Sequence, residues 1–410
     1  MTNSQRTGPS LRHQRHPVFA RLFLVAVGIL AALLISEVTL RVAGFTYFNP
    51  YIVDEDVGHA LRPNAEGWWK KEGLTYVRIN SHGFRDREHS IAKPPGTLRI
   101  AVLGDSFAEA LQVPMEKTFI SVVESKLNEC PSQRSSPVEV LNFGVSGFST
   151  ARELILLRKR VWPYSPDVVV LLFTTGNDIR DNSRTLNEYK QQPLPYFVYR
   201  DDKLSLDDSL LAARNQTLGF RLQRSFIGEA FNWIQGHSRV MGLIYTAREA
   251  YRSSKEVALP ERPQPQEEPG LKNEVYRENS GAEWEAAWQT TEALIQKMRE
   301  EVEARGAKFL LVTGSMGIQV NPDPVLRQNF MAREGVQNLF HPDDRISDVG
   351  QRNGFKVLTL VRVLEEYARR NKVALHGSGD LTGKGHWNEL GHQLVGEHIA
   401  AELCKTIVEN

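Results

Sequence analysis

Ser106 closes an apolar run, Leu98-Arg99-Ile100-Ala101-Val102-Leu103, and follows directly on Gly104-Asp105. A continuous apolar run of that length, ended by glycine, reads as a buried strand of a parallel sheet. A serine at the carboxyl end of such a strand faces the crevice where open α/β sheets bind ligands. The plain alternative is a serine that caps the next helix. As a nucleophile, serine is weak at neutral pH and needs a base beside it. His386, in Gly385-His386-Trp387-Asn388-Glu389-Leu390-Gly391-His392, suits that task, because a neutral imidazole takes the hydroxyl proton and returns it to a leaving group. Two more apolar runs end in residues of interest: Leu141-Asn142-Phe143-Gly144 and Val168 to Thr175 followed by Gly176-Asn177-Asp178.

Three successive strands thus carry Ser106, Gly144 and Asn177 to one edge, and the elements between them must be helices. Thr118 to Asn128 spaces Phe119, Val122, Val123 and Leu127 at helical intervals. A helix is expected over Arg152 to Val161, another from Glu283 to Arg305, and a fourth strand at Lys308 to Thr313. Phe355 to Leu360 reads as a fifth strand, Val363 to Arg370 as a helix, and Leu390 to Ile407 as a closing helix. Repeated β-α-β units of this kind give a parallel sheet with helices on both faces. Asn321 to Asp348 reads as loop, and Asp105 and Asp178 as braces of their turns.

In this order, the blocks around Ser106, Gly144, Asn177 and His386 resemble the SGNH (GDSL-type) hydrolases. The resemblance covers residues 98 to 180 and 305 to 403. It implies an α/β fold of three layers (α/β/α, flavodoxin-like) on a five-stranded parallel sheet. It implies Ser106 as nucleophile and His386 as base, preferred over His392 because it opens the His-x-Asn-x-x-Gly run. It also implies an oxyanion hole made by the Ser106 amide, the Gly144 amide and the Asn177 side chain. The chain departs from the pattern at one place. The family's third triad member lies three residues before the histidine, and Gly383 stands there. Asp380, six before, is the expected carboxylate; the other arrangement is a dyad in which a backbone carbonyl orients His386.

The 410 residues are 41% hydrophobic and 24% charged, with a net charge of +1. That balance gives no reason to expect nucleic acid as a partner. No phosphate-loop spacing or metal-ligand cluster is present, so neither cofactor nor metal is expected. Cys130 and Cys404 lack metal-site spacing; buried, inert thiols are expected, with a single bridge the alternative in an oxidising compartment. Residues 1–17 form a basic tail, and 18–45 are apolar, with no charge from Leu22 to Ser36. Arg21 and Arg41 can snorkel from the two ends of this segment, and no small-x-small cleavage site follows it. The expectation is a single-pass anchor in the bacterial inner membrane, tail inside and the remainder periplasmic or extracellular, with a cleaved signal peptide as the competing reading.

Residues 46–97 are expected to be a membrane-proximal segment with short strands, and 98–410 the catalytic domain. An insertion at about 180–280 holds a helical stretch from Phe226 to Tyr251 and a linker from Pro260 to Gly270. The expected function is a serine esterase acting on small acyl esters, acetyl above all, of an envelope or exported saccharide. An O-acyltransferase using the same site and a catalytically idle glycan-binding scaffold are the alternatives. Oligomeric state is not legible.

Overall fold

In a computed structural model of the chain, residues 16–130, 136–187, 191–257, 273–278 and 280–408 are described. The linker expected from Pro260 to Gly270 and nearly all of the basic tail lie outside them. The described residues fall into two compact units: 16–47 with 230–257, and the rest.

The larger unit is organised on a five-stranded sheet: β1 (Leu98–Leu103), β2 (Val138–Asn142), β3 (Val168–Thr174), β4 (Lys308–Gly314) and β5 (Val357–Thr359). The spatial order is β5-β4-β3-β1-β2, and every pairing is parallel. This is the flavodoxin-like order, whose switch point lies between β1 and β3. The central strand β3 is buried along its whole length, which is why its sequence does not alternate. Helices flank the sheet. Phe119–Glu129 begins where the Thr118 hydroxyl accepts from the Ser121 amide, and it packs against the closing helix Glu389–Val408. Thr150–Leu156, continued by a π-turn over Leu157–Val161, packs against Ala282–Glu303.

Four features differ from the reading of the sequence. Cys130 and Cys404 are joined in a disulfide, their Cα atoms 6.3 Å apart, where inert thiols were expected. The helices that bring them together are 274 residues apart in the chain, so spacing gave no hint. The stretch expected as loop after Asn321 holds two helices, Pro324–Glu334 and His341–Asn353. The first is started by Asp323, whose carboxylate accepts from the Val325 amide at 2.8 Å, with Pro324 in the first turn and Gly335 ending it. The stretch from Phe226 is two helices, Phe226–His237 and Arg239–Val257.

The fourth difference matters most. Residues 48–97 belong to the same compact unit as the sheet. They form two antiparallel hairpins, Tyr51–Asp54 with Gly58–Leu61 and Glu66–Trp69 with Thr75–Arg78. Leu61, Val77 and Ile79 bury themselves with Leu111, which follows the serine-bearing turn. Trp68 sits on the outer face of the second hairpin, edge-on to Tyr76 at 5.4 Å.

In the smaller unit, helix His16–Val42 carries a 25-residue apolar stretch, Val18–Val42, whose most apolar 18-residue window has a mean hydropathy of 2.7 with none of it buried. By length and composition this helix is able to cross a bilayer.

Candidate active site

β1 ends at Leu103, and Asp105 caps the short helix Ser106–Glu109, its Oδ1 accepting from the Phe107 amide at 2.9 Å. Asp105 is completely buried. Its carboxylate also accepts from Thr174 Oγ1 (3.1 Å) and Asn177 Nδ2 (2.8 Å), so the ends of β1 and β3 are tied together beneath the serine. Asp178 braces its own turn, accepting from the Thr174 amide at 2.8 Å. Both aspartates therefore do the bracing that their positions suggested.

His386 reaches Ser106 across 280 residues of sequence: Nε2 lies 2.7 Å from the serine Oγ. Its other nitrogen, Nδ1, lies 2.6 Å from Glu72 Oε2, which also accepts from the His386 amide at 3.2 Å. With Nδ1–H donating to the carboxylate, Nε2 is left as the acceptor of the serine proton. Burial works to lower the His386 pKa, but the hydrogen bond and charge of Glu72 outweigh it and hold the imidazole above its ordinary value. Burial likewise works to raise Glu72, and the same pairing pulls it below the usual carboxylate range.

Asp380 does not take the place expected of it. It is exposed in a 3-10 turn, Gly379–Leu381, and Glu72 occupies the Nδ1 side of His386. Glu72 sits at the tip of the Glu66–Arg78 hairpin with φ +61°. Ser378 Oγ donates to its carbonyl at 3.2 Å, and Thr75 Oγ1 donates to the Gln112 carbonyl at 3.1 Å, fixing the tip over the site. The only sequence signal was an acidic residue in a Lys-Lys-Glu-Gly turn between two alternating strands, and nothing in it points to a histidine 314 residues away.

The loop before His386 is held by a second histidine. His376, completely buried, donates from Nδ1 to the Gly385 carbonyl at 2.7 Å. Its Nε2 accepts from Ser315 Oγ at 3.0 Å, and Ser315 Oγ in turn accepts from Trp387 Nε1 at 3.0 Å. Burial pushes His376 down to about 4, so it stays neutral and keeps that tautomer. His392 is buried too, stacked on Phe119, its Nδ1 accepting from the Phe119 amide at 3.3 Å; it is structural, as its place in the helix suggested.

The expected oxyanion donors are divided. The Ser106 amide has no hydrogen-bond partner among the described residues. Asn177 gives one of its two amide hydrogens to Asp105 and keeps the other. Gly144 is different: its amide donates to Asn142 Oδ1 at 2.8 Å, so it is already engaged. What position 144 requires is space, since a Cβ there would lie 2.5 Å from Ala108 Cβ and 2.6 Å from the Glu109 nitrogen. Three residues on, exposed Gly147 (φ +72°) has an amide with no partner among the described residues, and its carbonyl accepts from Arg152 Nη1 at 2.6 Å.

A buried carboxylate fixes this turn. Glu109 accepts from the Ser146 amide (2.8 Å), from Ser146 Oγ and from the Tyr51 hydroxyl (3.0 Å). Buried Arg85 donates to the carbonyls of Glu109, Ala110 and Val113 at the end of the serine helix. Glu72 and His386 line a cavity of about 220 Å³, and a second cavity of about 420 Å³ lies against Thr382–Lys384 of the histidine loop and against Asn321, Leu326, Asn329 and Phe330. Among the described residues, no group of three or more His, Cys, Asp or Glu is placed to hold a metal ion. The arrangement can do nucleophilic chemistry: a hydroxyl, a base in reach of it, and a carboxylate that orients the base.

No protein-family model matches the chain, and no curated protein matches it in sequence. Solved structures to which the chain is similar include the acetyl xylan esterase AlAXEase, at 13% identity and TM-score 0.38, covering 75% of this chain and 100% of that one. A catalytic mutant of an acetylxylan esterase from Geobacillus stearothermophilus matches at 12% identity and TM-score 0.36, covering 76% and 96%. A two-domain esterase active on acetylated mannans matches at 13% and 0.36, covering 76% of this chain and 50% of its own. Likenesses at this level carry no argument about chemistry, which rests on the site itself.

Proposed function

We propose that the chain is a serine esterase of SGNH (GDSL) type that removes small acyl groups from a saccharide of the cell envelope or one exported through it. The observation that carries this reading is the continuous relay Ser106 Oγ, His386 Nε2, His386 Nδ1 and Glu72 Oε2, with contacts of 2.7 and 2.6 Å. In the first half-reaction His386 takes the Ser106 proton as Oγ attacks the ester carbonyl. The resulting oxyanion faces the Ser106 amide, the spare hydrogen of Asn177 and the Gly147 amide, which takes the role expected of Gly144. Collapse breaks the ester C–O bond, and His386 hands its proton to the leaving alcohol. Water, deprotonated by the same imidazole, then attacks the acyl-enzyme and restores Ser106. Glu72 keeps the imidazole in the working tautomer and stabilises its charged form. A carboxylate beside Nδ1 where position 383 has no side chain weighs against an idle scaffold.

The helix over Val18–Val42 is read as an uncleaved anchor, with the larger unit outside the cytoplasmic membrane. The disulfide between Cys130 and Cys404 supports an oxidising compartment. The experiment is labelling of the full-length protein with a fluorophosphonate probe, followed by rates on p-nitrophenyl acetate and on acetylated oligosaccharides. Labelling lost in Ser106→Ala supports the esterase; an unlabelled wild-type protein overturns it. Acyl transfer from a donor ester to an added sugar, outrunning hydrolysis, would replace the esterase with the acyltransferase.

A further inference from the structure

Helix Phe226–His237 is built the wrong way round for a protein surface. At 100° per residue, Phe226, Ile227, Ala230, Phe231, Trp233 and Ile234 fall within an arc of about 160°, while Glu229, Asn232 and Gln235 share the other side. The apolar arc is the one turned outward: Phe226 is 84% exposed, Trp233 64%, Phe231 50% and Ile234 47%. Asn232 and Gln235, on the polar side, are half-buried. Five large apolar side chains, Ile227 among them, on one face of twelve residues make a patch that monomeric soluble proteins seldom leave uncovered.

What covers it is indicated by where the helix ends. Residues 230–257 share a compact unit with the apolar helix His16–Val42. Glu37, just beyond the uncharged run Leu22–Ser36, accepts from Ser238 Oγ (3.0 Å), the Arg239 amide (3.0 Å) and the Val240 amide (3.1 Å). Arg41 donates to the His237 carbonyl at 2.8 Å and pairs with Glu37. The carboxylate thus caps Arg239–Val257, and the end of the amphipathic helix is pinned at the level where the apolar span stops. Tyr47 stacks on Tyr245 at 5.9 Å, holding the next turn at the same level. Leu243 and Ile244 of Arg239–Val257 are exposed as well.

We propose that helix Phe226–His237 lies in the membrane–water interface, with its apolar arc among the upper acyl chains beside the exit of the span. The inference rests on the anchor reading above. The interfacial depth suits a Trp and Phe face with a polar back. Held there, the helix gives the unit that carries the span a second contact with the bilayer.

The test uses the full-length protein in vesicles of phosphatidylcholine and phosphatidylglycerol, with single cysteines carrying an environment-sensitive dye. The two native cysteines are bonded to each other and do not compete for label. Positions are Phe231→Cys, Trp233→Cys and Ile234→Cys on the arc, Glu229→Cys on the polar side, and Leu30→Cys in the span; fluorophosphonate labelling checks that each variant is folded. The expected result is quenching by brominated lipids at 30, 231, 233 and 234, and not at 229. Quenching at 30 alone overturns the inference and leaves the anchor standing. No quenching at 30 shows that the anchor reading itself has failed. A blue shift on the arc without lipid quenching means that protein covers the face, and also overturns the proposal.

Discussion

Replacing Glu72 by glutamine tests the relay at its least expected member. The amide matches the carboxylate in shape, so the hairpin tip keeps its place, but the charge facing His386 Nδ1 is gone. The carboxylate oxygen takes two hydrogen bonds from His386, at 2.6 Å from Nδ1 and 3.2 Å from the amide. A hydrogen bond to a charged group contributes about 1.5–3 kcal/mol. Opposite charges about 4 Å apart near a protein surface interact by about 4 kcal/mol. Because Glu72 keeps some exposure, the loss in kcat/KM should lie between about a hundredfold and the roughly ten-thousandfold seen in the serine protease that serves as the standard example. The pH profile carries a separate signature. The base must be neutral, and Glu72 outweighs burial to hold His386 above its ordinary pKa, so wild-type activity falls as pH drops through that raised value. Without the charge, protonation of His386 requires a lower pH, and the acid limb must move toward acid while the plateau drops. Initial rates on p-nitrophenyl acetate between pH 5 and 9 read both effects. A plateau within threefold of wild type, or an acid limb that stays in place, would refute the role given to Glu72; a large loss in Asp380→Asn would return that role to Asp380.

Asn177→Ala should cut kcat by about a hundredfold to a thousandfold, the usual cost of one oxyanion donor, and should also lower the melting temperature, because the buried Asp105 carboxylate loses its 2.8 Å partner; steady-state rates taken well below the melting transition separate the two effects. Gly144→Ala should act mainly on stability, losing about 1–3 kcal/mol, because its methyl group meets Ala108 and the backbone at Glu109. A normal melting curve with lost activity would restore Gly144 as a donor. Glu109→Gln places an amide opposite three donors, so kcat should drop more than KM changes as the Ser146–Gly147 turn loosens; equal effects on both parameters would point to general misfolding. Cys130→Ser with Cys404→Ser opens a cross-link spanning 274 residues and should cost about 2–4 kcal/mol, read as a fall in the unfolding midpoint that reductant no longer increases.

The sheet was legible because each of its strands is a local signal. An apolar run such as Val168–Phe173, buried on both faces, declares itself without reference to the rest of the chain. The nucleophile and its base were legible because a strand end and a His-x-Asn-x-x-Gly run are local too. What stayed hidden depended on contacts between distant segments. Nothing near Glu72 distinguishes it from a solvated turn residue, and the hairpin that carries it looked like a separate membrane-proximal piece until Leu61, Val77 and Ile79 were seen packed on Leu111. Gly144 and Gly147 are three residues apart, and only the hydrogen bond from Gly144 to Asn142 separates the packed glycine from the one with a free amide. The helices after Asn321 are a local miss: Asp323-Pro324 is a start signal inside a stretch that reads as loop.

Gly383 and the carboxylate of Glu72 beside His386 belong to one local arrangement. Gly383 sits at φ +85°, a conformation that an aspartate adopts only under strain, and a Cβ built there would point at Asn321 Nδ2, 3.2 Å away. Its amide donates to the His376 carbonyl at 2.8 Å, so the path of the loop is fixed by the buried histidine. Next to His386, a Cβ on Gly385 would lie 3.0 Å from Glu72 Oε2. The absence of a side chain at 385 is what lets a carboxylate approach Nδ1 from outside the loop. An aspartate placed at 383 would therefore not take over the pairing with His386: its side chain would start toward Asn321, and Glu72 already fills the Nδ1 side.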